Sequence, residues 1–205
     1  AMESMLTPRN GKWHILKASD PGLMKDKEVA TWFERKTNRL FQLRYGGRAN
    51  YASQQHESYM QMGAFGTGAL YTDKALDGTG FRYRATSISN VYFIENFQGI
   101  IDKAYRRFQY TAEQAVEAFG KERVSDEIMK AMEKEPLRKF EFVHAVYPNN
   151  DMDPQKVDFR GMVYSSKYLE VDTKTIVKDE GFNKFPYSVN RYVVAAGESY
   201  GRSPA

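Results

Sequence analysis

Metal or acid–base chemistry would fall first to the three histidines, His14, His56 and His144, and each stands alone. None has a second histidine, or a carboxylate four residues on, in a ligand pattern, so they read as structural or surface residues. Cysteine is absent, which removes disulfides, thiolate metal sites and a cysteine nucleophile together. Asp151-Met152-Asp153 opens like a calcium loop, but the glycine and distal glutamate of an EF-hand do not follow, and a solvated turn is the reading. Gly66-Thr67-Gly68 and Gly78-Thr79-Gly80 are not phosphate loops. The first closes a helix where a Walker loop must open one, and neither is followed by Gly-Lys-Ser/Thr. Among 26 Asp+Glu no carboxylate pair stands out. The residues predict no enzyme, no metal site and no cofactor.

Phosphate contact has more to recommend it. Phe81-Arg82-Tyr83-Arg84 alternates aromatic and arginine, and Lys103-Ala104-Tyr105-Arg106-Arg107-Phe108 is a second basic-aromatic run. Arg82, Arg84, Arg106 and Arg107 could each meet a phosphate backbone. The same alternation arises on any strand with one wet face and one packed face. Overall charge does not decide: 30 Lys+Arg against 26 Asp+Glu leaves +4, too mild an excess to mark a nucleic-acid surface. A third candidate is the segment from Gly197 to Arg202. Glycines at 197 and 201 predict backbone angles closed to other residues, or close approach by a neighbouring segment. Glu198 and Arg202 bracket Tyr200 and could fix the loop by an ion pair. Ser203-Pro204 then has the form of a helix start, serine as N-cap and proline first in the helix. The chain is therefore expected to stop short of a further helix.

These residues need elements to hold them. Val29, Trp32, Phe33, Leu40 and Phe41 recur at helical spacing and predict a helix over Lys25–Tyr45 that buries Trp32. Gly46-Gly47 stops it. A second helix is predicted from Asn50, its N-cap, to Phe65, packed with the first against strands. The period then changes. Strands are predicted at residues 69–71, 81–84, 91–94 and 100–110, with Asp77-Gly78-Thr79-Gly80 as a hairpin turn. Thr111-Ala112-Glu113-Gln114 is a capping box opening a helix that closes at Phe119-Gly120, and a short helix follows from Ser125 to Lys134. Further strands are predicted at 140–146, 161–164, 168–172, 175–178 and 188–195, with a polar loop from Tyr147 to Pro154. This order is α+β, not a βαβ series. With no internal repeat or low-complexity linker, residues 1–205 read as a single domain. No apolar run approaches the ~20 residues that span a bilayer, so no membrane is implied.

Taken in order, this punctuation resembles the portal, or head-to-tail connecting, protein family of short-tailed bacteriophages. The resemblance runs from Thr7-Pro8 and Trp13 through the helix around Trp32 to the helix-to-strand junction Phe65-Gly66-Thr67-Gly68-Ala69-Leu70. Gly99 to Arg106, the Thr111–Phe119 helix and His144-Ala145-Val146-Tyr147-Pro148 follow, and Gly197 to Pro204 is the sharpest match. The family often has tryptophan shortly before that last segment, where this chain has Arg191-Tyr192. Tyrosine fills such an apolar slot with its hydroxyl in water.

The resemblance implies a wing-like region preceding the long stem helices and clip of a portal, with Gly197, Glu198, Tyr200, Gly201 and Arg202 as the hinge to the stem. It implies a structural subunit of a ring of identical chains at one capsid vertex of the virion, assembled in the host cytoplasm. Double-stranded DNA would enter and leave through the ring. Partners would be the capsid shell protein, the packaging ATPase and the tail proteins, with no catalysis by the portal itself. The alternative is a nucleic-acid binding module unrelated to phage, acting through Arg82, Arg84, Arg106 and Arg107.

Overall fold

A computed structural model describes residues 2–75 and 78–204. Contacts cluster into two compact units. The first comprises the chain up to Thr86, Ser188–Val193 and the stretch from Arg202 on; the second comprises Ser87–Tyr187 and Val194–Gly201. Both mix helices with antiparallel strands, so the expected α+β class holds. No helix among the described residues is long and apolar enough to cross a membrane.

The first unit carries helices α1 (Met2–Leu6), α2 (Lys27–Arg44) and α3 (Tyr51–Phe65) and strands β1 (Thr67–Lys74) and β2 (Phe81–Thr86). Asp26 opens α2, its carboxylate accepting from the backbone N–H groups of Glu28 and Val29. Asn50 stands at the N-cap position of α3 as expected, but in left-handed backbone (φ 57°) and without a capping side-chain bond. Its amide oxygen accepts from the Ser53 hydroxyl instead.

Burial on α2 departs from the sequence reading. Trp32 is 50% exposed, its ring lying against Phe33 with the Lys36 ammonium over it. The buried residue of the helix is Thr37, 2% exposed. Its hydroxyl donates to the Phe33 carbonyl at 2.8 Å and accepts from the Leu16 N–H at 3.0 Å. A satisfied hydroxyl can be buried at little cost, while the Trp32 indole packs against neighbours on its own helix and keeps half its surface in solvent.

Helix α3 ends at Gly66 (φ 78°) and lies against β1 so closely that a Cβ built at Gly68 would stand 2.2 Å from the Ser58 carbonyl oxygen. β1 and β2 form the predicted hairpin, with Asp73 opposite Arg82 and Tyr71 opposite Arg84. Its tip is closed by the Ala75 N–H to the Gly80 carbonyl, with Gly78 at φ 70°; Asp77 of the predicted turn lies outside the described residues.

The second unit is built on a five-stranded antiparallel sheet in the order β3-β4-β5-β6-β7: β3 (Val91–Glu95), β4 (Ile101–Thr111), β5 (Lys139–Pro148), β6 (Tyr164–Glu170) and β7 (Thr175–Phe182). Helices α4 (Ala112–Phe119) and α5 (Asp126–Lys134) supply Ala112, Ala115, Phe119, Ile128 and Ala131 to a core completed by Phe140, Phe142 and Val177. The Thr111–Gln114 capping box forms in both directions. Ser125 caps α5 and donates its hydroxyl at 2.6 Å to the buried Glu170 carboxylate.

The strand expected at 161–164 is a 3-10 turn over Phe159–Gly161, and β6 begins only at Tyr164. The Asp158 carboxylate holds that turn by accepting from the Arg160 N–H, and Gly161 packs where a Cβ would meet the Lys156 carbonyl oxygen at 1.9 Å. The strand expected at 188–195 is shorter, β8 (Tyr187–Arg191), and pairs beside β1 to give the order β2-β1-β8.

Candidate functional site

Gly197 takes left-handed backbone at φ 81°, and the turn is closed by the Glu198 N–H donating to the Ala195 carbonyl at 3.1 Å. The reversal carries Tyr200 to the outer edge of β3. There its hydroxyl accepts from the Phe93 N–H at 3.0 Å and donates to the Val91 carbonyl at 3.2 Å. One phenol thus occupies the hydrogen-bonding groups that a further strand would use, while its ring lies 6.4 Å from that of Phe93. Replacing Tyr200 with phenylalanine keeps the ring and strands both groups. We expect a loss of about 1–3 kcal/mol in urea unfolding, with faster amide exchange at Phe93. Unchanged exchange there would show that the hydroxyl does not hold the edge.

The two glycines divide the two expected reasons: the positive φ lies at Gly197, and Gly201 is buried. A glycine pair in sequence does not say which member needs the unusual angle and which needs the space. Beyond it, the Arg202 N–H donates to the Val193 carbonyl at 2.9 Å within the first unit. The Ser203 hydroxyl donates to the Gly63 carbonyl at 3.0 Å.

The four candidate phosphate contacts separate. Arg82 and Arg84 are exposed on β2. Arg107 is exposed but grips both carboxylate oxygens of Glu141, which is held below the usual carboxylate range by that hydrogen bond. Arg106 is only 5% exposed, with its guanidinium 4.4 Å over the Phe108 ring and its Nε without a partner. A buried guanidinium is not presented to a phosphate in solution. Period two sets one of two adjacent arginines inward, and the composition of the run does not reveal which.

A buried network that sequence spacing did not signal centres on His144. Its Nε2 lies 2.9 Å from the Ser166 hydroxyl and its Nδ1 3.3 Å from that of Tyr187, and its ring stacks on Tyr168 at 4.1 Å. Burial, then the cations Arg106 and Lys178, hold its pKa well below the ordinary value of 6.5. A serine–histidine pair at this distance has the spacing of nucleophile and base. Both residues are completely buried, however, so no substrate reaches the hydroxyl and the pair is structural.

Against known proteins, the family profile described as "Bacteriophage head to tail connecting protein" matches residues 1–205. The chain is 28% identical over 207 residues to the "Probable portal protein" of Bordetella phage BPP-1, covering 100% of this chain and 37% of that protein. It is 28% identical over 208 residues to the "Portal protein" of Salmonella phage epsilon15, covering 98% of this chain and 36% of that one. The chain therefore spans little more than a third of the length of these curated relatives. Neither similarity favours the alternative of an unrelated nucleic-acid module.

Proposed function

The chain belongs to the bacteriophage head-to-tail connecting protein family, and from that membership we propose that it is the wing-like part of a portal subunit. The reading rests on one observation above the rest, a family match from the first residue to the last. The subunit is structural and catalyses nothing. In its complete form it closes into a ring of identical copies by heterologous contacts at one vertex of the virion, after assembly in the host cytoplasm. Double-stranded DNA passes through the ring, and the capsid shell protein, packaging ATPase and tail proteins dock on it. Electron microscopy of the complete protein should show closed rings with a central channel, and a nonsense mutation in its gene should leave heads empty of DNA. DNA-filled heads in its absence would overturn the assignment.

Ring closure is assigned to the parts of the relatives that this chain does not span. Residues 1–205 alone are therefore expected to be monomeric or weakly associated at micromolar concentration in light scattering, and a stable ring would move closure to the wing. The segment of Gly197, Glu198, Tyr200, Gly201 and Arg202 is proposed to hold the direction in which the chain leaves the wing. Gly197→Val tests it, because a β-branched residue is a true outlier at positive φ. Subunits that fold but give misassembled rings are expected, and normal packaging would reduce the segment to a connector.

A further inference from the structure

The first unit contains an open cleft of about 880 Å3, within the size range of ligand pockets. Its floor is one stripe of α3, formed by Tyr51, Gln55, Tyr59 and Met62, and its walls include Trp13, Tyr83 and the 188–191 stretch. Arg44, at the end of α2, and Arg191 both line it, and no aspartate or glutamate does.

Arg44 is held in an unusual way. The rings of Trp13 and Tyr51 approach its guanidinium carbon to 4.7 and 5.3 Å. Its one polar contact is the His14 Nδ1 at 3.4 Å, and among the described residues no carboxylate pairs with it. Burial, followed by the Arg44 charge, lowers the pKa of His14, so the imidazole stays neutral and compensates none of that charge. A guanidinium with aromatic rings against it keeps its in-plane N–H groups as a fork for a planar anion. Gln55 provides an independent sign. It is 7% exposed as a residue, lines the cleft, and its side chain makes no hydrogen bond among the described residues. Its amide is left open to the cleft, where a ligand can both donate to it and accept from it.

We propose that this cleft binds a carboxylate carried on an apolar or aromatic body, the chemistry of an acidic peptide segment on a partner protein. Arg44 takes the carboxylate, Gln55 bonds to the peptide, and the aromatic walls cover the neighbouring side chains. Three features favour a carboxylate over a nucleic-acid backbone. The lining contains no glycine loop to offer a cradle of backbone N–H groups, its two cations fall short of a track along a strand, and aromatic and aliphatic side chains make up much of the wall. The inference goes beyond the portal reading and does not depend on ring formation.

The test uses this chain with Trp32→Phe, which leaves Trp13 as the fluorescent reporter inside the cleft. A short peptide alternating Glu and Phe should quench or shift Trp13 emission on titration, and the same peptide with Gln in place of Glu should bind about tenfold more weakly. Arg44→Gln should lose about tenfold in affinity for the acidic peptide and Arg44→Lys less, because lysine keeps the charge without the fork. Gln55→Leu should also weaken binding, and it carries the test if circular dichroism shows that Arg44→Gln does not fold. Equal binding of the two peptides overturns the proposal, as does no binding at millimolar peptide. So does an affinity indifferent to both Arg44 and Gln55. Tighter binding of a single-stranded oligonucleotide, weakened by Arg44→Gln, would make the cleft a nucleic-acid site and equally overturn it.

Discussion

Gly68→Ala is expected to destabilise the first unit by about 3 kcal/mol or more, the upper end of what overpacking costs. The added methyl would stand 2.2 Å from the Ser58 carbonyl oxygen and 2.7 Å from its hydroxyl, and the obstructing atom is helix backbone that cannot rotate away. Relief requires α3 to lift from β1, which would also loosen the buried stripe of Tyr51, Tyr59 and Met62. Both tryptophans, Trp13 and Trp32, lie in the first unit, so their emission during urea unfolding reports on that unit. An unchanged midpoint would mean that helix and strand do not meet at this register.

Acidification is expected to weaken the second unit through His144. The unfolded chain carries a histidine of ordinary pKa near 6.5, whereas burial and the nearby Arg106 and Lys178 hold the folded imidazole well below it. Below pH 6.5 the unfolded state therefore binds the extra proton, and stability falls with pH until the folded pKa is reached. The slope approaches its limit of about 1.4 kcal/mol per pH unit only well below the unfolded pKa, so acidification from pH 6.5 to 4.5 removes at most about 2 kcal/mol. His144 faces Arg106 from β4, the part-exposed Lys178 from β7, the Ser166 and Tyr187 hydroxyls and the Tyr168 ring, so its protonation places a buried positive charge beside Arg106. Amide exchange on β5 and β6, followed from pH 6.5 to 4.5, checks the slope against His144→Asn. An equal slope in the variant would assign the acid sensitivity to other groups.

Features fixed by neighbours in the chain were legible in the sequence. The Thr111–Gln114 box and the Ser125 cap satisfy backbone groups within three residues, so residue type and spacing sufficed. The hairpin after β1 was legible for the same reason. Features set by distant partners were not. Thr37 is buried because its hydroxyl meets the Leu16 N–H from 21 residues away, and no apolar pattern marks a threonine for the interior. Arg106 goes inward because its row across the sheet continues through His144 and Tyr168 on the covered face, a pairing that depends on strand register. The cleft draws Trp13, Arg44, Gln55 and Arg191 from separate stretches of chain, so it has no spacing to read.

The Tyr200 bond to β3 has a consequence during synthesis on the ribosome. Val91 and Tyr200 are 109 residues apart, so at translation rates of roughly 5–20 residues per second the outer edge of β3 stays uncovered for on the order of ten seconds. The hairpin of β1 and β2 waits similarly for β8, which begins only at Tyr187. Each nascent chain on a polysome thus exposes an unpaired strand edge beside neighbours exposing the same one, a template for pairing between chains. Slow elongation through the 112–186 stretch would lengthen that exposure. The yield of native protein should therefore follow translation speed and chaperone supply more closely than the stability of the finished fold.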